Sequence, residues 1–194
     1  MEINQEQLIE NAINGNMEAF SALCRQNESK VHYLCVGIMG NEPDGQDAMQ
    51  EVYIKMQKGI SALRSPAAFT VWLHRIVVSV CTDLRRKQTR QPPQSSLETI
   101  ETTMPEENAD YIPHEHVDNN EKKRQLLELV TKLPYRQRVS MLLYYYEGMS
   151  YANIASVLHT SVRAVENYLR RGKQTIKGKI TGVKAVVKKE QPYP

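Results

Sequence analysis

Apolar residues recur at three- and four-residue intervals in two stretches of the chain, one reaching to about residue 87 and the other covering residues 121 to about 180. This spacing is typical of amphipathic helices, and no segment alternates apolar and polar residues as a strand would. Residues 88–120 contain four prolines, few large apolar residues and seven acids against one arginine, so they should lack a core. The pattern predicts an all-α protein in which a flexible acidic linker joins two small helical domains.

Glycine and asparagine divide the beginning of the first stretch into two predicted helices. A short helix covers residues 5–13 and is stopped by Gly15, and Asn16 can cap the next helix. That second helix is long and ends at Gly40. Its inward face is predicted to hold Phe20, Leu23, Cys24, Val31, Leu34, Cys35 and Ile38.

Turn residues separate the second helix from two further helices. We expect residues 41–45 to form a turn and residues 46–60 to form the third helix. Ser65 followed by Pro66 is typical of a helix start, with the serine as N-cap and the proline in the first helical position. The fourth helix is predicted to bury Phe69, Leu73, Ile76, Val77, Val80 and Leu84.

The second stretch predicts four helices. One covers residues 122–133, and Pro134 opens the next, which Gly148 stops. Two short helices follow over residues 151–158 and 162–173, with three residues between them. The inward stripe of the helix after Pro134 is predicted to hold Val139, Leu142, Leu143 and Tyr146.

The last two predicted helices have the pattern of a helix-turn-helix. Such a pair crosses steeply over a short turn, so it requires a small residue at the close approach, here Ala155, and apolar residues at the contacts. Ser161 can cap the second helix. The residues predicted to point inward are Ile154, Leu158, Val162, Val165 and Leu169. The residues left exposed on the second helix are Arg163, Glu166, Asn167, Arg170 and Arg171.

The exposed face of that second helix suits duplex DNA. Arginine and asparagine form bidentate hydrogen bonds with guanine and adenine edges in the major groove, and further basic residues meet phosphates. Residues 161–189 hold nine basic residues against Glu166 alone, although the net charge of the chain is only +3. The alternative, two packed helices with solvated charges, explains the apolar positions but not the near absence of acids. The pattern therefore predicts DNA binding.

Composition argues against several other classes of protein. No run of about 18 apolar residues occurs, and the first residues lack a basic region followed by an apolar one, so we expect a cytoplasmic protein without membrane insertion. Neither His32 with Cys35 nor His114 with His116 has the further ligands of a zinc site. Without a glycine-rich phosphate loop or a nucleophile motif, we expect no enzyme, metal or cofactor. The cysteines should be buried, reduced thiols, and they are Cys24, Cys35 and Cys81.

The carboxy-terminal stretch closely resembles region 4 of extracytoplasmic-function (ECF) sigma factors, which recognises the minus-35 promoter element. The resemblance lies in residues 133–138, in residues 145–151 and in the pair Arg170-Arg171. Response regulators have a similar helix-turn-helix, so this match alone does not separate the two families. The first domain decides between them.

Three segments of the first domain resemble region 2 of the same sigma factors. Residues 44–53 are similar to the segment that docks on the clamp coiled coil of the largest polymerase subunit. Residues 69–76 and 83–87 are similar to the helix that binds and opens the minus-10 element. This layout, without a region 3, marks the ECF group. We assign residues 1–90 to region 2, 91–120 to the linker, 121–181 to region 4 and 182–194 to a tail.

The resemblance implies three groups of functional residues. Those for the minus-35 element are Ser161, Arg163, Glu166, Asn167, Arg170, Arg171 and Lys173. Those for the minus-10 element are Arg64, Ser65, Ala67, Arg75, Ser79, Arg85 and Arg86, where the loop holds a base that has left the duplex and the arginines hold phosphates. Those that face the polymerase clamp are Asp47, Gln50 and Glu51, although the helix dipole alone also favours acids at a helix start.

Some residues and segments keep two interpretations open. Trp72 can stack on a base, but a tryptophan beside Leu73 on an apolar face is more often part of a core. Only part of the run Tyr144-Tyr145-Tyr146 can face inward at helical spacing, which leaves the rest for an interface or the surface. The acidic linker is either a plain tether or, as in the family, a segment that threads the RNA exit path of the polymerase.

The resemblance implies an alternative sigma factor that does no covalent chemistry. It would bind core RNA polymerase at the clamp and the flap, recognise both promoter elements in DNA, and start transcription of a specific gene set. An anti-sigma factor is a further implied partner, and the active protein would be associated with the nucleoid. The main alternative is a helix-turn-helix transcriptional regulator that is not a polymerase subunit, but the first domain has neither a sensor pocket nor a phosphoacceptor pattern.

Three positions depart from the residues that are frequent in the family. His159 replaces a glycine, so we expect it to accept a strained turn conformation. Ser79 replaces an asparagine, and Glu166 replaces a basic residue. The promoter sequence therefore cannot be carried over from relatives.

Overall fold

A computed structural model of the chain describes residues 5–90 and 127–189, and for residues 179–189 it describes only the helical backbone. Within these ranges every regular element is helical, as the apolar pattern predicted. The chain divides into two compact units, of which one contains the helices before the predicted linker and the other contains most of the helical residues after it. The linker at residues 91–120 lies outside the described residues, as do His114 and His116.

The first two helices begin and end where their capping residues predicted. α1 covers Gln5–Ile13 and α2 covers Met17–Met39. The side chain of Asn16 accepts a hydrogen bond from the backbone N–H of Ala19 at 2.9 Å, which satisfies one of the free donors at the start of α2. Gly40 ends α2 with a left-handed φ of 95°.

The third helix begins earlier than predicted. α3 covers Glu42–Gly59, so residues 41–45 are not a loop and that prediction is wrong. Asn41 is the N-cap, and its side chain accepts a hydrogen bond from the N–H of Asp44 at 2.9 Å. Pro43 lies in the first turn, where the missing N–H would have had no helical partner. The proline thus belongs to the start of the helix.

Gly45 lies inside α3, at the place where this helix approaches α2. An added Cβ would stand 2.5 Å from Cγ2 of Val36 and 2.7 Å from its Cα. The glycine therefore permits close approach of the two helices and does not serve a turn. A hydrogen bond of 2.6 Å between Nε2 of His32 and Oε1 of Glu42 joins the same two helices.

The connecting segment, residues 60–68, consists of two one-turn 3-10 helices around a short extended stretch. The turns cover Ile60–Ala62 and Pro66–Ala68, and α4 then covers Phe69–Arg90. Ser65 occupies the N-cap position before Pro66, as predicted, but its side chain makes no capping hydrogen bond. Its carbonyl oxygen instead accepts a hydrogen bond from the last N–H of the second turn at 3.2 Å.

The apolar face of α4 packs against α2 and α3 and forms the centre of the first domain. By length and composition alone, residues 66–90 would also be able to cross a membrane. Because the face is covered by two other helices, α4 is instead a core helix. Its buried predicted residues are Phe69, Leu73, Val77 and Val80, whereas Ile76 and Leu84 are only half-buried.

All three cysteines lie in the first domain as free thiols. Cys35 and Cys81 are buried, as predicted, whereas Cys24 is half-buried. Burial raises the pKa of Cys24 to about 11. A hydrogen bond with Cys81, together with burial, also raises the pKa of Cys35. The thiols of Cys24 and Cys35 therefore remain protonated at neutral pH.

The second domain is built around α6 (Tyr135–Tyr145) and α8 (Val162–Lys189), which pack on each other. Val139, Leu142 and Leu143 are buried as predicted, but Tyr146 is 45% exposed. That prediction is wrong because α6 ends one residue earlier, and Tyr146 occupies the C-cap position. The helices of this domain are α5 (described over 127–131), α6 (Tyr135–Tyr145), α7 (Tyr151–Val157) and α8 (Val162–Lys189). Residues 122–126 of the predicted helix before Pro134 lie outside the described residues.

α8 is longer than the predicted helix over residues 162–173 and reaches Lys189, within the residues assigned to the tail. Neither Gly172 nor Gly178 stops it. Gly172 is buried against α6, where an added Cβ would stand 3.1 Å from Cγ of Met141. The first of these glycines therefore serves helix packing.

Candidate nucleic-acid and polymerase interfaces

The connection between α7 and α8 fixes the start of the candidate recognition helix. His159 has a φ of 48°, which confirms the expected left-handed conformation. The N–H of Thr160 donates to the carbonyl oxygen of Ala155 at 2.9 Å, and this bond closes α7 as a Schellman motif. The side chain of Ser161 accepts a hydrogen bond from the N–H of Ala164 at 3.2 Å. Ser161 is thus the N-cap of α8, as predicted.

α8 buries one side in the second domain. Val165, Leu169 and Ile176 are almost completely buried. Val162, which was predicted to point inward, is 48% exposed. Side chains on a helix point back towards its N-terminus. Because Val162 is the first residue of α8, its side chain points beyond the part of the helix that is packed. The side of α8 that is left uncovered holds the candidate DNA-binding residues.

The middle of this uncovered side is a line formed by Arg163, Asn167 and Arg170, spaced three and four residues apart. The Nδ2 of Asn167 donates to the carbonyl oxygen of Arg163 at 3.0 Å, and its Oδ1 accepts from Nη2 of Arg170 at 3.4 Å. Glu166 is exposed beside this line. The structure therefore brings these predicted residues together, and the asparagine orients one arginine. We call this line the groove face.

Two basic residues flank the groove face on opposite sides. At about 100° per residue, Arg171 and Lys173 project on either side of the line, and both are exposed. The ammonium of Lys173 lies over the ring of Tyr145, 5.3 Å from its centroid. A hydrogen bond with Tyr145 raises the pKa of Lys173, so the ammonium is charged at neutral pH.

Lys173 is held by a tyrosine cluster, defined as Tyr144, Tyr145 and Tyr151. The ring of Tyr144 lies 4.8 Å from that of Tyr145 and 5.2 Å from that of Tyr151, measured between centroids. Tyr145 is 52% exposed, so the expectation that part of this tyrosine run faces outward is confirmed. Sequence reasoning found Lys173 but missed the cluster, because spacing along one helix does not show contacts between helices.

The candidate polymerase-docking residues share one exposed face of α3. Asp47, Gln50 and Glu51 are all exposed, as their spacing predicted. Ile54 continues the same face one turn further and is 44% exposed, which is unusual for a large apolar side chain in this domain. Sequence reasoning missed Ile54 because it assigned no exposed role to an apolar residue. Its spacing from Asp47 and Gln50 was the available signal.

The candidate minus-10 residues of α4 are only partly brought together. Arg75, Ser79 and Arg86 lie on one exposed stripe at helical spacing. Arg85 is half-buried and lies about a quarter of a turn away from this stripe. The structure thus separates the two adjacent arginines onto different sides of α4.

The connecting segment buries two large apolar residues and presents most of its other residues outward. Arg64, Ser65 and Ala67 are exposed, whereas Ile60 and Leu63 are buried. This arrangement leaves a small exposed loop that is anchored at two points.

Trp72 is half-buried beside the end of α3. Its ring lies 5.9 Å from that of Phe69, and an added Cβ on Gly59 would stand 3.3 Å from its Cζ2. These contacts favour the interpretation of Trp72 as part of the packing.

Among the residues that the structure describes, no three histidine, cysteine or acidic side chains gather as a metal site. His32, considered with Cys35 in the sequence, is instead hydrogen-bonded to Glu42.

Two family models match the chain in the same order as the two domains. Residues 23–91 match Sigma-70 region 2, and residues 123–176 match Sigma-70, region 4. Together the matches cover more than half of the chain. The chain belongs to the sigma-70 family. This sigma factor carries both family regions, with region 2 before region 4.

The sigma factor is similar to ECF proteins over most of its length. It is 27% identical over 183 residues to the ECF RNA polymerase sigma-E factor of Escherichia coli K12, which covers 92% of this chain and 95% of the relative. It is 26% identical over 182 residues to the RNA polymerase sigma-H factor of Pseudomonas aeruginosa, with 88% and 91% covered. It is therefore an alternative sigma factor of the ECF group, which binds core RNA polymerase and promoter DNA. The regulator hypothesis is not favoured.

Solved structures show the same fold. The structure of CnrH in complex with the cytosolic domain of CnrY matches with a TM-score of 0.65 at 20% identity, covering 92% of this chain and 99% of that one. The sigma factor RpoE of Bartonella quintana, in complex with the anti-sigma factor NepR, matches with a TM-score of 0.62 at 12% identity, covering 84% and 96%.

Proposed function

We propose that the sigma factor divides promoter recognition between its domains, with residues 1–90 docking on the clamp and opening the minus-10 element, and residues 121–181 binding the minus-35 element and the flap. Residues 91–120 connect the two along the RNA exit path, which suits their seven acids. The observation that carries the proposal is that the groove face stands exposed on the first turns of a capped helix. A helix presented in this way can enter a major groove.

The groove face supplies the base contacts of the minus-35 element in this proposal. Arg163, Asn167 and Arg170 donate to base edges, while Glu166 accepts from a cytosine amino group. Ser161 and the two flanking basic residues contact phosphates, one strand on each side of the groove. Asn167 already accepts a hydrogen bond from Arg170 in the free protein. The side chain of Arg170 therefore loses less conformational entropy when it binds DNA.

The stripe on α4 and the exposed loop supply the minus-10 contacts. Arg75 and Arg86 hold phosphates of the melted strand, with Ser79 between them. Arg64, Ser65 and Ala67 line the place that receives a base leaving the duplex. Arg85 lies off the stripe, so its phosphate contact would come from a different part of the strand.

Docking on core polymerase uses the exposed face of α3. Asp47, Gln50 and Glu51 face basic groups of the clamp coiled coil, and Ile54 adds an apolar contact in the same patch. In this patch the charged side chains would orient the sigma factor on the clamp, and burial of Ile54 on binding would add affinity.

The remaining elements of the proposal concern partners and place of action. The two structural neighbours are bound to the cytosolic domain of CnrY and to the anti-sigma factor NepR, and we propose that an anti-sigma factor also holds this chain inactive. The protein acts in the cytoplasm, at the nucleoid when active. It performs no covalent chemistry, since its task is to position polymerase and trap opened DNA.

Reconstituted transcription tests the proposal as a whole. Purified core polymerase, a promoter library and the full chain are expected to yield new, mapped start sites that core polymerase alone does not produce. Absence of any new transcript, together with failure to co-purify with core polymerase, would contradict the proposal.

Ile54→Ser is expected to weaken binding to core polymerase about tenfold, because a buried interface side chain contributes more than about 1 kcal/mol. Fluorescence anisotropy of the labelled sigma factor against core polymerase measures the loss. Met17→Ser is the matched control, since Met17 is a similarly exposed large apolar residue, at 56%, that belongs to α2 and not to α3. If the two variants bound core polymerase with equal affinity, Ile54 would not be part of the interface.

Lys173→Gln is expected to lower the salt dependence of minus-35 duplex binding. Removing one phosphate contact reduces the slope of log K against log salt by about 0.9. Lys132→Gln, which removes an exposed lysine after α5, is expected to leave the slope unchanged. Binding isotherms of the full chain at several salt concentrations measure both. An unchanged slope for Lys173→Gln would show that the tyrosine cluster holds this lysine away from DNA.

A further inference from the structure

The connecting segment, residues 60–68, has little hydrogen bonding of its own. Its two turns are closed by a bond from the N–H of Leu63 to the carbonyl of Ile60 at 3.0 Å and by one from Ala68 to Ser65 at 3.2 Å. Such 3-10 turns have poorer hydrogen-bond geometry than α-helices and persist only in short pieces. The shape of the segment therefore depends on what packs against it.

α1 packs against both turns of the segment as well as against α2. Its inward face is apolar, with Leu8, Ile9 and Ala12 at most 5% exposed. Its outward face is polar and exposed at Glu10 and Asn11. The apolar anchors of the segment, Ile60 and Leu63, are buried in the same domain. The first helix of the chain thus supports the inner side of the loop.

The order of α1 and the order of the segment depend on each other. α1 has nine residues, and helices shorter than about 12 residues are marginal in water without packing. α1 is therefore stable through its contacts, which include the two turns. If α1 undocks, the turns lose the surface that supports them, and the exposed loop between them samples other conformations.

We infer that α1 is a positioning element for minus-10 recognition, and that its docking holds the connecting segment in the shape that receives the base leaving the duplex. The inference rests on the proposed role of that loop in base capture. Ile9 is a positioning residue in this arrangement, since it acts through the segment and does not contact DNA.

Ile9→Ala, studied in the full chain bound to core polymerase, tests the inference. The probe is a fluorescent single strand carrying the minus-10 element of a start site mapped by transcription. Abasic substitution along this strand first locates the captured base, as the position where removal weakens wild-type binding most. In Ile9→Ala we expect α1 to be docked in about a tenth of the molecules. Because only these molecules can capture the base, the variant should bind the intact strand about tenfold more weakly. Binding of the abasic strand should be unchanged.

Matched variants separate positioning from general loss of structure. Asn11→Ala, on the exposed side of the same helix, should bind both strands as the wild type does, and Ile9→Leu should restore capture. Core polymerase affinity and minus-35 duplex affinity of Ile9→Ala should equal those of the wild type. Ile9→Val, a smaller change that retains folding, should give a smaller loss in the same direction.

Two results overturn the inference. One is that Ile9→Ala and Ile9→Val have the same ratio of affinity for the intact strand to affinity for the abasic strand as the wild type. The other is a parallel loss of core polymerase, minus-35 and minus-10 binding, which would mark Ile9 as a structural residue alone. If the wild type itself does not distinguish the intact strand from any abasic strand, base capture by the loop is wrong, and the proposed function fails at that point.

Discussion

Gly45→Ala is expected to destabilise the first domain by about 3 kcal/mol, the upper part of the range for overpacked cores. The added methyl group would stand 2.5 Å from Cγ2 of Val36, 2.7 Å from its Cα and 2.9 Å from its N. Because two of these atoms are backbone, no rotamer change relieves the clash, and α2 and α3 must move apart. The better helix propensity of alanine offsets only about 1 kcal/mol. Urea unfolding followed by the fluorescence of Trp72, the one tryptophan of the chain, reports on this domain.

Gly178→Ala is the matched control for this substitution. Both variants restrict the unfolded chain in the same way, but an added Cβ at Gly178 meets nothing within 4 Å. This variant should therefore stabilise α8 by up to about 1 kcal/mol, measured by helical circular dichroism. A stability change of the same sign in both variants would show that the close approach at Gly45 does not govern the outcome.

Arg170→Ala is expected to weaken binding to the minus-35 duplex by about 1–3 kcal/mol, or roughly fivefold to 150-fold. Arg170 lies at the end of the groove face, where Asn167 orients its guanidinium. The variant should also relax the preference at one base pair, which competition with single-base variants of the duplex measures. Its affinity for core polymerase should be unchanged.

Arg136→Ala provides the control for the loss of an arginine in the same domain. Arg136 is exposed on α6 and lies outside the groove face. Equal weakening of duplex binding by Arg136→Ala and Arg170→Ala would indicate a general charge effect. Loss of core binding by Arg170→Ala would show that the division of labour between the domains is wrong.

Helix boundaries were predictable where a local residue determines them. Asn16, Gly40 and Ser161 act through their own backbone and their nearest neighbours in sequence, so their roles follow from the chain alone. The start of α3 was mispredicted because proline and glycine occur both in turns and within helices. Pro43 fits the first turn of a helix as well as a loop, and the use of Gly45 depends on Val36, a residue of another helix.

The candidate site divides along the same line. Residues that share one helix face, such as Arg163, Asn167 and Arg170, follow from helical spacing and are found together. Contacts between helices do not follow from the spacing along one helix. The cation–π contact between Lys173 and Tyr145 was therefore missed. The separation of Arg85 from its neighbour was overlooked for a different reason, since the family resemblance groups residues by their order in sequence and not by their direction around the helix.

The protected state of the three native thiols makes the sigma factor suitable for site-specific labelling. Maleimides react with thiolates, and a pKa of about 11 leaves roughly one Cys24 in ten thousand ionised at pH 7. Cys35 and Cys81 are also shielded from reagents by burial. A cysteine introduced at an exposed position in each domain would therefore take up dye selectively while the native cysteines remain in place. Energy transfer between the dyes would then follow the spacing of the two DNA-binding domains as a promoter opens.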